Sequence, residues 1–165
     1  MILGIQELEK ELQNMSEAEL RSGIAKAILL VQEEAKAGCP AHDGELRESI
    51  YTDVEEHDDK ITGICYTTKK YGPYVELGTG PKGQENHDGI SPEVAVSYTQ
   101  SPWWIHESQI DRETAEYYHF FAIDTPEGRF YQCVGQAAQP FMYPALKNNE
   151  NRVAEIVANS LRRQL

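Results

Sequence analysis

Apolar residues recur every three or four positions along the first forty residues. Ile5, Leu8, Leu12 and Met15 make one such row, a helical spacing. Ser16 and Glu19 then form a capping-box pattern, which predicts that a fresh helix starts at Glu17. Its stripe is Leu20, Ile24, Ile28, Val31 and Ala35, one face suited to packing on a core. Gly23 sits inside it at a cost of about 1 kcal/mol relative to Ala, which a long helix absorbs. Gly38 followed by Cys39 and Pro40 ends it, because Gly supplies a left-handed cap and Pro blocks continuation.

From Ser49 the period changes. Ile50, Thr52 and Val54 alternate with polar residues, Glu55 to Lys60 form a polar break, and Ile61 to Thr67 are again β-branched and aromatic. Two such runs around a polar tip predict an antiparallel hairpin. Tyr71 to Leu77 reads as a third extended segment, ending at the glycine-rich Gly78-Thr79-Gly80-Pro81. At the other end, Pro140 and Pro144 bracket a short extended stretch, with Pro144 near a helix start. Leu146, Val153, Ile156, Val157, Leu161 and Leu165 then predict one closing amphipathic helix, with Arg162 and Arg163 complementing the dipole in its last turn.

Between these ends the composition shifts. Nine of the 15 aromatic residues fall between Tyr98 and Tyr131, which marks an inserted lobe at about 81–135 within a single domain. Short strands are expected there, one of them over 128–134, with a helical turn near 111–116. Buried, these rings would form a satellite core. Exposed, Trp103, Trp104, Tyr117 and Tyr118 would make a partner-binding patch, since Trp and Tyr are common interface anchors. Neighbours on a strand face opposite ways, so one of each pair can serve each purpose.

The 165 residues suffice for one domain with a proper core, without a disulfide or metal to hold it. Acids outnumber bases 27 to 15, a net charge of −12. Phosphate-backbone binding relies on clustered Lys and Arg, so general nucleic-acid binding is disfavoured, and an acidic membrane surface would repel the chain. Three scattered cysteines indicate a reducing compartment. The first residues mix Ile and Leu with charged and amide side chains, so no secretory signal is expected, nor a membrane-spanning stretch later.

Candidate chemistry is sparse. Gly78 to Gly83 match G-x-G-x-x-G, but the residues beyond, Gln84 to Gly89, are polar and lack the helical stripe that a pyrophosphate-binding helix requires. A glycine-rich turn is the better account. Cys39 and His42 offer at most half of a closed zinc site, and Cys65, His87, His106, His119 and Cys133 are scattered singly. His87-Asp88 has no nucleophile elbow beside it, and the acids at 55–59 lack the alternation and Gly of a calcium loop. No catalytic, cofactor-binding or metal site is expected. A metal-dependent enzyme on Cys39, His42, His87 and Asp88 is the weakest alternative, and a small-ligand or carbohydrate-binding module using the Trp/Tyr lobe is the main one.

Three stretches together resemble one family. Asp43-Gly44-Glu45-Leu46-Arg47-Glu48-Ser49-Ile50 resembles a D-T-G-x-L-R-x-S-I element without its Thr. Tyr71 with Tyr74-Val75-Glu76-Leu77-Gly78-Thr79-Gly80 resembles Y-x-x-Y-V-E-F-G-T, with Leu77 in place of Phe. Gln139-Pro140-Phe141-Met142-Tyr143-Pro144-Ala145-Leu146 resembles Q-P-F-L-R-P-A-L. The family is the gene-product-ten type of tail component of lambdoid tailed phages, and the resemblance covers residues 5–80 and 136–165.

The resemblance implies an α+β fold, an antiparallel sheet packed by the long N-terminal helix and a C-terminal helix. It also implies a non-enzymatic virion protein of the neck or tail-completion region, assembled in the host bacterial cytoplasm. Its partners would be other neck and tail proteins and further copies in a ring, with no sequence-specific nucleic acid and no membrane. Within the motifs, Gly78 and Gly80 permit a sharp turn, and Pro140 and Pro144 fix an extended entry to the last helix. Glu76, in an apolar segment, is suited to pairing with an Arg such as Arg47 or to facing solvent.

Overall fold

The computed structural model describes residues 5–40, 44–58 and 60–162, with side chains from Met15 onward. The chain divides into two compact units, Met1–Gly72 with Phe141–Leu165, and Pro73–Pro140.

In the first unit, helix α1 runs unbroken over Ile5–Gly38, 34 residues, about 50 Å at 1.5 Å per residue. The fresh start expected at Glu17 does not occur, and Ser16 lies inside the helix. Neither Gly nor Pro stands between Ile5 and Gly23. Propagation there adds one hydrogen bond per residue, whereas a second helix would incur the nucleation cost again. The side chains of Ile5, Leu8 and Leu12 lie outside the described residues. The stop falls where expected, but Gly38 is the last helical residue and lacks the left-handed backbone expected of it, so the block to continuation is Pro40.

The deepest row on α1 is small: Gly23, Ala27, Val31 and Ala35, one every fourth residue. Ala27 is 2% exposed and Ala35 0%. A Cβ at Gly23 would lie 2.9 Å from the Ser160 Cβ, so the helix carrying Ser160 approaches α1 closely there. Ile24 and Ile28 of the expected stripe turn to the hairpin. A Cβ on Gly63 would come 3.0 Å from Ile24 and 3.3 Å from Ile28.

That hairpin is β1 (Ile50–His57) and β2 (Lys60–Thr67), antiparallel from Ile50 opposite Thr67 to His57 opposite Lys60. Pairing continues through Glu55, Glu56 and His57 and takes in Lys60 opposite, so the ladder runs into the expected polar break from both sides. These side chains are exposed and are ordered without desolvation, so polarity does not stop the ladder. Asp59 lies outside the described residues. Gln32 of α1 donates to the Ile50 carbonyl at 2.7 Å, and Arg21 pairs with Glu56 at 3.2 Å. Before β1, a single turn, α2 (Glu45–Glu48), buries Leu46, and Ser49 Oγ bonds the Leu46 carbonyl and Thr67 Oγ1.

The chain re-enters this unit at Phe141, 1% exposed beside Gly38. Two helices follow where one was expected: α5 (Met142–Lys147) and α6 (Glu150–Arg162). Asn149 separates them, its Nδ2 donating to the Ala145 carbonyl at 2.9 Å and its own carbonyl accepting from Val153, the local competition that makes Asn a poor interior residue. Leu146 therefore does not join the α6 stripe and is 46% exposed. Arg163 and Leu165 lie outside the described residues.

Tyr71–Leu77, expected as extended, is instead the short helix α3 (Gly72–Leu77). Pro73 in its first turn has the helical φ and no amide to leave unpaired, which outweighs the strand propensity of Tyr74 and Val75. The second unit then continues through 3-10 turns at Gly80–Lys82 and His87–Gly89. Its sheet comprises β3 (Trp103–His106), β4 (Phe121–Thr125) and β5 (Gly128–Cys133), antiparallel in the order β3-β5-β4. Helix α4 (Arg112–Tyr117) precedes β4, so both the strand and the helical turn expected in this lobe are present. Asp111 caps α4, accepting from the Thr114 amide at 2.7 Å, and that bond holds its carboxyl below the usual range. Buried residues of this unit include Ile90, Ala115, Tyr131, Cys133 and Ala138. The whole is α+β: a long N-terminal helix, antiparallel sheets and a C-terminal helix. Among the described residues no helix is long and apolar enough to cross a membrane.

Candidate assembly surface

The motif residues divide between the two units. In the first, Gly44 adopts φ 85° and accepts from the Glu48 amide at 3.0 Å, Leu46 is buried and Arg47 is exposed. Asp43 and His42 lie outside the described residues. Phe141 fills this unit's core and Pro144 sits within α5. Arg47 and Glu76 belong to different units.

In the second unit the glycine turn and the stretch before Pro140 are bound together. Thr79 bridges Gln136 by two backbone bonds, 2.9 and 3.1 Å. The Gln139 amide donates to the Val75 carbonyl at 2.9 Å, and Gln136 Nε2 reaches the Tyr74 carbonyl at 2.8 Å. Gly78 (φ 77°) and Gly80 (φ 62°) have left-handed backbones. A Cβ on Gly78 would meet the Ala138 nitrogen at 2.8 Å, and one on Gly80 the Trp103 ring at 2.7 Å. Because a 3-10 turn rather than an α-helix follows Gly80, no helix N-terminus stands there to receive a pyrophosphate.

Two residues outside the motifs complete this joint. Tyr98 donates to the Leu77 carbonyl at 2.6 Å and lies 3.2 Å from His87 Nδ1. With its one proton given to Leu77, it receives the imidazole N–H. Its ring covers Gly83, and burial pushes the phenol up. Gly135 (φ 78°) lies against Thr79. Neither belongs to a spacing that sequence inspection detects. Their requirement arises only when the glycine turn meets residues 134–138.

The remaining candidates lie on or beside the three-stranded sheet. Register puts Trp104, Phe121, His106, Phe130 and Ile123 on one face, and Ile105, Tyr131, Ala122 and Trp103 on the other. The second face carries the buried Tyr131 and Cys133, while Trp104 (43%) and Phe121 (63%) stay exposed on the first, ring edge to ring face at 6.3 Å. Tyr117 and Tyr118, exposed at the end of α4, meet T-shaped at 5.1 Å, and Tyr118 stacks on Phe120.

On the second face an open cleft of about 430 Å³ is lined by Glu107, Asp111, Arg112, Asp124, Arg129 and others. Each of its charged side chains has a partner. Arg129 holds Asp124 by two bonds of 2.7 and 3.0 Å, which keeps that carboxyl below its usual range, and Arg112 pairs with Glu116. Among the described residues no three His, Cys, Asp or Glu side chains converge on a cation position.

Comparison with known proteins bears on the first unit. No curated protein and no solved structure matches the chain. Residues 1–78 match the family model described as "Bacteriophage HK97-gp10, putative tail-component". The match spans α1, α2, the β1–β2 hairpin and α3, and ends at Gly78, so the stretch around Gln139 and Pro140 is similar by motif alone. The segment 1–78 is thus similar to the HK97-gp10-like phage tail components, the family that the motifs resemble.

Proposed function

We propose that the chain is a structural virion protein of a tailed phage or prophage. It acts at the head–tail neck or in tail completion, through contacts with neighbouring neck or tail proteins and with further copies in a ring, and is assembled in the host cytoplasm. The observation that carries this reading is the family match over residues 1–78. The disposition of the motif residues supports it. Gly78, Thr79, Gly80, Gln139 and Phe141 are occupied in turns, backbone bonds and core, roles of a scaffold rather than of a reaction. The exposed aromatics Trp104, Tyr117 and Tyr118 are of the residue types that anchor protein contacts. They stand on an open sheet face and a helix end, whereas the cleft of this unit is lined by paired charges, which favours a protein partner over a stacked sugar.

Deleting the gene from its prophage, inducing, and imaging the particles tests the proposal. Filled heads separate from finished-looking tails are expected. Normal infectious virions would overturn it.

A further inference from the structure

β4 is an edge of its sheet, and the direction of its hydrogen-bonding groups follows from β5. Arg129 turns its main chain away from β4: its amide donates to Glu107 Oε1 at 3.0 Å and its carbonyl accepts from the Glu107 amide at 2.9 Å. Asp124, opposite Arg129, is therefore in a non-hydrogen-bonded pair, and alternation makes Ala122 with Tyr131 the next one. The amides and carbonyls of Ala122 and Asp124 point out of the sheet, and among the described residues no backbone group elsewhere receives them. Natural edges are blunted by charged side chains, above all Lys, by Pro or by a bulge. Phe121–Thr125 has no Lys, Pro or bulge, its one charge, Asp124, is engaged by Arg129, and Phe121 to Asp124 are all exposed.

The geometry points to a second copy of this chain as the occupant of this edge, paired β4 to β4, antiparallel about a twofold axis at Ile123. Ala122 and Asp124 flank Ile123 symmetrically. In this register Ala122 of each copy meets Asp124 of the other, and both pairs exchange backbone hydrogen bonds. Charge agrees with that register. A chain of net charge −12 repels its own copies in general. At this edge the one acid, Asp124, is held by Arg129 and would face Ala122 rather than another Asp124. The face that continues across the axis carries Trp104, Phe121, Ile123 and Phe130, with His106 and Gln132 and without a carboxylate, so two copies would join their aromatic surfaces. The inference does not depend on the virion role, and the imaging result leaves it untouched.

Site-specific cross-linking of the full chain tests it. With Ile123→Cys the two α-carbons would lie about 4.5 Å apart across the axis, within disulfide reach. With Phe121→Cys they would be about 14 Å apart, four residues along the strand. Mild oxidation should double the mass of Ile123→Cys on a non-reducing gel and leave wild type and Phe121→Cys unchanged. Adding Ala122→Pro, which removes an amide the sheet does not use, should abolish the cross-link without altering thermal unfolding. A cross-link that survives Ala122→Pro, or one that forms as readily at Phe121→Cys, overturns the proposal. So does wild-type protein that sediments as a monomer at every concentration, which would leave the edge to a strand of another protein.

Discussion

Gly135 and Gly44 both have left-handed backbones, with φ of 78° and 85°, yet they differ in what surrounds them. A Cβ on Gly135 would run into the Thr79 carbonyl, whereas one on Gly44 meets nothing within 4 Å. Gly44→Ala should therefore cost only the dihedral penalty, about 1 kcal/mol. Gly135→Ala adds a backbone clash and should cost about 2–3 kcal/mol. Urea denaturation of the two variants checks the order, and equal losses would sink the argument. The glycines at 78 and 80 were legible because they stand together after an apolar run and before a Pro. Gly135 and Tyr98 were not, since each is required by a residue far off in sequence.

Among the elements, α1 shows best how a local rule yields to packing. Gly23 reads as a mere propensity defect in a helix, but its missing Cβ is what lets α6 approach at Ser160. Gly23→Ala should consequently fail to gain the roughly 1 kcal/mol that helix propensity offers, and Gly23→Leu should lose about 1–3 kcal/mol by overpacking. Ser160→Gly in the Gly23→Ala background should recover stability, because it removes the atom that a Cβ at position 23 would strike. Thermal melts of the three variants decide it. If Gly23→Ala is simply stabilising, the close approach does not constrain the pair. The capping-box pattern at Ser16 and Glu19 misled for a related reason: nothing breaks the chain before it, so the helix runs through. α3 shows the converse, with Pro73 in the first turn overriding the strand propensity around it.

For the molecule as a whole, the charge of −12 has a consequence that no single pair controls. Self-repulsion opposes the compact state, and salt shortens its reach from about 30 Å at 0.01 M to about 8 Å at 0.15 M. Thermal unfolding should therefore shift upward over that range, and a downward shift would mean that the surface ion pairs, such as Arg129 with Asp124, outweigh the acidic excess. By itself the sequence determined the α+β class, the long helix ending at Gly38, the hairpin, the glycine turn and the family resemblance. All of these rest on local periodicity, on residues with special dihedral preferences, or on short contiguous motifs. Tertiary structure alone decided which row of α1 is deepest, the division at Asn149, the closure of the glycine turn by Gln136 and Tyr98, and the open β4 edge. Each of these depends on which backbone or side chain arrives from elsewhere in the chain, and that has no signature in the order of nearby residues.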